Sequence, residues 1–304
     1  MGRRDRRKKK GKLRKFLLAS LLILLLAGAG IAFYIYQSVQ QALGGEDLTS
    51  EKRTEEVELD KEEGFTVLLL GVDEREDDGG RSDTMILMSV QNDSVKMLSI
   101  PRDTRVEIAG KGTEDKINHA FAFGGIDMAA KTVENFLDVP VDYYVEMNME
   151  GLQEMVDAVG GVDVENEFAF SYGGDSFAEG SLHLNGSEAL NYARMRYEDP
   201  NGDFGRQARQ RQVIQGVIDK GSDPAMLLKY GDILSTIGDN VQTNLSLGEI
   251  ASIQKNYGSA RNNIQSESIE GEGQKIDGVY YYIVSEEERE RLSALLKEHL
   301  ALQQ

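Results

Sequence analysis

The chain of 304 residues contains no cysteine. That excludes disulfides, thiolate metal sites and a cysteine nucleophile, and it suits a secreted bacterial domain that never depended on oxidative folding. Only three histidines occur, at scattered positions, so neither a Cys-His nor a Ser-His couple is visible. No G-x-x-x-x-G-K-[ST] stretch is present, which removes the phosphate loop of nucleotide-driven chemistry. Positive charge is scarce beyond the N-terminus. The net charge is −18, yet residues 1–15 hold ten Lys/Arg and one Asp, which leaves −27 for the rest of the chain. A nucleic-acid-binding body carries the opposite sign, so no nucleic-acid partner is expected.

What is present begins with a membrane signal. Phe16 to Tyr36 carries no charge and would span ~31 Å as a helix, about one hydrocarbon core. The basic run before it and the acidic flank after it place the N-terminus inside and the remainder outside. A single-pass type II anchor at 16–36 follows, with a cytoplasmic tail at 1–15, a stalk at 37–63 and the working domain at 64–304. A cleaved signal peptide would have a shorter apolar core of ~7–15 residues, although small residues at Ala27 and Ala29 leave that reading open.

From Phe65 the chain reads as a globular α/β domain. Short apolar runs at 65–71, 84–91 and 94–100 predict buried strands, with further strands at 141–148 and 279–284. Helical spacing appears at 128–137, 151–159, 185–194, 205–220, from Asp223, from Ser246, and at 285–300, and Asn185 with Glu188 forms a capping-box pattern. Mixed elements without repeats predict a three-layer α/β/α sandwich around a central mixed sheet.

Candidate chemistry gathers at element ends. Arg206, Arg209 and Gln210 share a face of one helix at its N-terminus, just after Asp203, where free N–H groups and the helix dipole favour an anion. The same spacing also fits a solvated basic face. Strand ends present Asp73, Asp83, Arg102 and Asp103. Carboxylates ligate Mg²⁺ and arginine matches phosphate oxygens bidentately, so the combination reads as a divalent-metal and pyrophosphate site. Arg194 and Arg196 would sit ~200° apart on one helix and could meet one ligand only if that helix ends near Met195.

The segments GVDEREDDGGRSDTMIL, SIPRDTRVEI, DKINHAFAFGG, VDAVGGVDV and HLNGSEALNYARMRYEDPNGDFGRQARQRQVI, in this order from about Phe65 to Lys220, resemble the LytR-CpsA-Psr family. The resemblance implies a membrane-anchored envelope transferase of a Gram-positive bacterium. It would move a glycopolymer, such as wall teichoic acid, from a polyprenyl-pyrophosphate carrier to peptidoglycan. It further implies an apolar lipid cavity and an Mg²⁺ (or Mn²⁺) site at Asp73 and Asp83. A pyrophosphate cluster would be formed by Arg81, Arg102, Arg194, Arg196, Asp203, Arg206 and Gln210. Asp83, Asp103 and Arg102 are the expected catalytic residues, with Asp83 or Asp103 as candidate bases. Lys116, Asn118 and His119 are expected to serve structure: Asn118 as a turn or cap, His119 as a packed loop residue. A hydrolase using water, or a membrane-bound regulator, are the alternatives.

Overall fold

The computed structural model describes residues 45–53, 55–75, 78–221, 223, 233, 237–238 and 240–302, with only the backbone at 73–75 and 78–79. The tail and apolar run at 1–36, and nearly all of the helix expected from Asp223, lie outside the described residues. Among the described residues no helix is long and apolar enough to cross a membrane.

In chain order the elements are β1 (Phe65–Arg75), β2 (Asp78–Val90), β3 (Val95–Ser99), β4 (Arg105–Glu107), β5 (Glu114–Lys116), α1 (His119–Leu137), β6 (Tyr143–Met147), α2 (Met149–Ala158) and β7 (Val162–Asn166). They continue with β8 (Phe170–Tyr172), β9 (Asp175–Phe177), β10 (Gly180–Leu184), α3 (Gly186–Arg194), α4 (Asp203–Gly221), β11 (Val241–Thr243), α5 (Leu247–Tyr257), β12 (Ile264–Ser268), β13 (Glu272–Ile276), β14 (Val279–Ile283) and α6 (Glu286–His299). The central sheet runs β11-β6-β1-β2-β3-β12. It is mixed: β1 pairs antiparallel with β2 but parallel with β6, and β3 pairs antiparallel with β2 but parallel with β12.

Period-two alternation explains the layers. Leu68, Leu70, Met85, Leu87 and Leu98 face one core, where α1 contributes Ala129 and Val133 and α6 contributes Leu292 and Leu296. Phe65, Val67, Ile86, Val90, Val95 and Met97 face the other, covered by Tyr257 and Ile253 of α5 and Ile214 of α4. A strand apolar on both faces needs helices on both, and the expected three-layer sandwich results. A third apolar cluster joins β7–β10, β8–β9, α2, α3 and α4 around the rings of Phe170, Phe177 and Tyr192.

Three features depart from the expectation. The β1–β2 hairpin is longer than the apolar runs suggested, so Asp73 and Asp83 stand within strands and not at their ends. Residues 45–53 and 55–61, read as part of a stalk, lie along the domain. Leu48 and Leu59 pack on its cores, and the Arg53 guanidinium sits 3.1 Å from the Asp142 carboxylate. Helix α1 starts at His119, well before Met128, because Gly124 and Gly125 interrupt it with non-helical backbone (φ 62° at Gly125) and break the apolar period.

Candidate active site

A register shift builds the centre of the site. Gly71 of β1 faces Thr84, but the next residue, Val72, faces Ser82. Asp83 is therefore the extra residue of a β-bulge, the device by which a strand re-aims one side chain. Asp83 turns to the chain leaving β3, where Nη1 of Arg102 approaches its Oδ2 at 2.8 Å. Arg102 Nε lies 3.8 Å from Asp103, and Nζ of Lys116 donates to Asp103 Oδ1 at 2.6 Å. The hairpin, the loop after β3 and the β4–β5 ribbon thus meet in one chain of alternating charges.

The second half comes from α3 and α4. Helix α3 ends at Arg194, and Met195 takes extended dihedrals (φ −58°, ψ 133°). This is the break that lets Arg194 and Arg196 serve one place. Arg194 lines the cavity described below, and Arg196 Nε lies 3.5 Å from Asp203. Asp203 opens α4, where its Oδ1 meets Nη2 of Arg206 at 2.8 Å and its Oδ2 accepts from Gln207 at 3.1 Å.

The two halves share one field. Burial works against the charge on Arg102, but Asp83, Asp103 and Asp203 outweigh it and raise its pKa. Arg206 ends below its ordinary value: burial is the main cause, Asp203 and Asp83 oppose it, and Arg102 and Arg196 add like-charge repulsion. The Arg206 Nε is buried and has no hydrogen-bond partner. A crowd of guanidiniums with an orphaned buried donor is complementary to an anion of several oxygens.

Behind the cations lies a cavity of about 160 Å³. Asp83, Arg194, Arg206 and Gln210 stand at its polar side, while Leu69, Met147, Leu152, Leu190, Ala193 and Ile214 supply apolar wall. Voids of ~150 Å³ hold one benzene ring, so this one has room for a short apolar segment, walled by residues of α2, α3 and α4.

One expected residue sits elsewhere. Arg209 was grouped with Arg206 on a cationic face, but it turns inward and is 5% exposed. Its Nε donates to the Tyr192 carbonyl at 3.0 Å, its Nη2 to the Met195 carbonyl at 2.5 Å, and its Nη1 pairs with the buried carboxylate of Asp199. That carboxylate lies so close to Gly205 that a Cβ there would stand 2.0 Å from Oδ2. Arg209 therefore clamps the end of α3 to the start of α4 and holds the loop that carries Arg196 and Asp203. Arg81 stands exposed on the hairpin arm, opposite Asp73. The Asp73 side chain lies outside the described residues.

Lys116, expected to serve structure, reaches the site through Asp103; its only signal was the segment DKINHAF. Asn118 occupies the N-cap position of α1 but makes no cap bond, and its Oδ1 is buried without a partner. His119 bonds Asp115 at 3.0 Å and packs edge-on to Phe123. Among the described residues no three His, Asp or Glu side chains gather into a metal cage. The donor chemistry still fits Mg²⁺. A carboxylate beside an anion site suits an ion that keeps several waters and takes the rest of its ligands from phosphate.

The family model for the LytR_cpsA_psr family matches residues 31–298. The chain is 48% identical over 303 residues to the polyisoprenyl-teichoic acid–peptidoglycan teichoic acid transferase TagU of Bacillus subtilis (strain 168), covering 98% of this chain and 99% of that one. Its fold is similar to that of TagT bound to LIIa-WTA, at a TM-score of 0.72 and 33% identity, with 85% of this chain and 98% of that chain covered. It is also similar to EF0465 from Enterococcus faecalis, described as a transcriptional regulator, at a TM-score of 0.75 and 36% identity, covering 81% and 91%.

Proposed function

This chain belongs to the LytR_cpsA_psr family, and from that premise we infer that it transfers wall teichoic acid from a polyprenyl-pyrophosphate carrier to peptidoglycan, releasing polyprenyl phosphate. The observation that carries this reading is the apolar cavity opening onto a cluster of arginines, with the buried Arg206 Nε left without a partner. An amphiphile with a lipid tail and a multiply charged head matches that pairing of surfaces, since each buried CH₂ is worth ~0.8 kcal/mol and each phosphate oxygen needs a donor.

The reaction exchanges one P–O bond for another. A peptidoglycan hydroxyl attacks the phosphorus that bears the polymer, the bond to the bridging oxygen breaks, and polyprenyl phosphate leaves with the electron pair. Such transfers depend on positioning and charge neutralisation. Arg102, Arg206 and Arg194 face the head group and offset the charge that builds on its oxygens, while Arg196 with Asp203 fixes Arg206. Asp83 or Asp103 takes the proton of the attacking hydroxyl. Asp83, with Asp73 from the facing strand, would hold a divalent ion, which when bound neutralises pyrophosphate oxygens. The energy resides in the pyrophosphate bond, as outside the cell it must.

The anchor at 16–36 and an envelope location in a Gram-positive bacterium belong to this reading, supported by the charge asymmetry around that segment and by the similarity to Bacillus subtilis TagU. A regulatory role would suit the description of EF0465, but an acidic body is poorly matched to DNA. The deciding assay supplies labelled lipid-linked polymer with and without peptidoglycan. Label entering peptidoglycan is expected; water-dependent release that peptidoglycan does not redirect would make the chain a hydrolase, and no turnover would favour the regulator.

A further inference from the structure

The sheet order sets out the site along one line. The apolar cavity lies under β6, β1 and β2, with Met147, Leu69 and Thr84 in its wall. Arg102 and Asp103 follow at the end of β3, on the far side of Asp83 from the cavity. Attacking and leaving oxygens in phosphoryl transfer stand roughly in line. If the lipid phosphate departs toward the cavity, the attacking hydroxyl arrives from beyond Arg102 and Asp103. What stands there is the β4–β5 ribbon and the edge strand β14.

That place has the features of a sugar site. Strand β14 is tied to the loop after β3, the Tyr282 amide donating to the Asp103 carbonyl at 2.8 Å. The neighbouring ring, Tyr281, is partly exposed and lies over Arg105 and Lys116, with Cζ and Nζ 5.8 and 5.9 Å from its centroid. Lys116 is the residue bound to Asp103. Beyond Arg105 a cavity of about 400 Å³ opens, lined by Glu107, Glu114, Asn135, Ile283 and Arg289. Arg105 and Glu114 pair at 2.8 Å on its rim, and Ile283 lies on the same face of β14 as Tyr281. A flat aromatic face receives the positive C–H edge of a pyranose ring, and paired charged groups satisfy its hydroxyls. The strand alternation puts Tyr280, 45% exposed, on the opposite face.

Resting on the transferase reading above, we propose that Tyr281 and the adjoining Arg105–Glu114 cavity form the acceptor subsite, which binds amino-sugar rings of the peptidoglycan glycan strand and presents their hydroxyl to Asp103 and the pyrophosphate.

The test uses the full chain in detergent, soluble uncrosslinked glycan strands as acceptor and a short-chain lipid-pyrophosphate disaccharide as donor. Kinetics give a KM for each, and saturation-transfer NMR reads glycan binding directly. Tyr281→Ala is expected to raise the acceptor KM about tenfold, equivalent to ~1.4 kcal/mol, without changing the donor KM. Tyr281→Phe, which keeps the stacking face, should recover most of that loss relative to Tyr281→Ala, and Tyr280→Ala on the other face should stay within about twofold of wild type. Tyr281→Leu, which keeps apolar bulk on the hairpin, should behave as Tyr281→Ala and guards against a folding defect. The proposal is overturned by an unchanged acceptor KM in Tyr281→Ala and Tyr281→Leu, by an equal rise in donor KM, or by absent glycan binding in the wild type. Wild type that binds glycan through Tyr281 but never transfers to it would sustain the subsite and count against the transferase reading alone.

Discussion

Two arginines three residues apart on α4 should fail in opposite ways. Arg209→Met removes the clamp between α3 and α4. It leaves the Asp199 carboxylate, whose side chain is 2% exposed, buried without its cation, and leaves the Tyr192 and Met195 carbonyls without a donor. Breaking a buried pair from one side costs about 3–5 kcal/mol, and a domain of this size loses about 2–4 °C of Tm per kcal/mol. A fall of about 6–20 °C is therefore expected. Replacing Asp199 as well, with Leu, should recover only part of it, because the two carbonyls stay unsatisfied. Arg206→Met is a different case. The Nε of that guanidinium is buried without a partner, and Arg102 and Arg196 repel the cation while Asp203 and Asp83 attract it, so its removal relieves burial and like-charge repulsion against the loss of one ion pair, and Asp203 keeps Arg196 and Gln207. Its Tm should hold or rise while transfer collapses, the pattern of a residue kept for function at the expense of stability. Circular-dichroism melts of both purified variants beside the transfer assay decide the matter. An Arg209→Met variant with wild-type Tm and lost activity would put Arg209 in the anion site and refute the clamp; equal destabilisation by both changes would refute the assignment of Arg206.

Ala193→Phe should fill the cavity wall, costing about 1–3 kcal/mol of stability while abolishing retention of polyprenyl phosphate, as read by organic extraction of the purified chain; lipid retained at wild-type occupancy would dissociate the cavity from the carrier. Asp83→Asn should leave a folded domain with transfer reduced at least ~100-fold, in the range found when one charge-stabilising group is removed from a catalytic site. Chelation should silence the wild type, and full activity in excess chelator would eliminate the divalent ion. Burial raises the pKa of Glu134, against the hydrogen bonds from Ser50 and the Val141 amide, and Asp142 adds repulsion. A carboxyl raised in the folded state adds stability as pH falls through its folded pKa and withholds it at neutral pH. Glu134→Gln, which can still accept from Ser50 and Val141, should thus raise Tm at pH 7 and lose that advantage on acidification; a gain that is constant across pH would contradict the titration.

The β1–β3 core was legible because its strands are apolar on both faces, a pattern that only a sheet covered by two helical layers satisfies. The capping box at Asn185 was legible for a local reason: it is a contact within one helical turn. The weak ribbons β4–β5 and β8–β9 were not, nor was β13, the partner of the expected strand β14, since these segments are short and mixed in polarity and take their stability from what they pack on. The role of Arg209 was misread because helical spacing puts it beside Arg206, and spacing does not say which neighbour fills the space in front of each side chain. Asp83 was recognised as a site residue but placed at a strand end, because a bulge is a register relation between two strands and leaves no mark in either one alone.

By itself the sequence determined the acidic, cysteine-free composition, the apolar alternation that demands a covered sheet, and the inventory of arginines and aspartates that can handle a phosphate. These are sums and periodicities, properties that a chain has before it folds. Only the tertiary structure decided which of those charges meet. Arg102 and Arg206 are joined across the Asp83 bulge and Asp203, Arg209 is diverted into the interior, and Tyr281 is brought beside Lys116 from the far end of the chain. The physical reason is range. Charge–charge and hydrogen-bond energies fall off within a few ångströms, so chemistry is set by distances through space, and the backbone fixes those distances only once the sheet order and its register are in place.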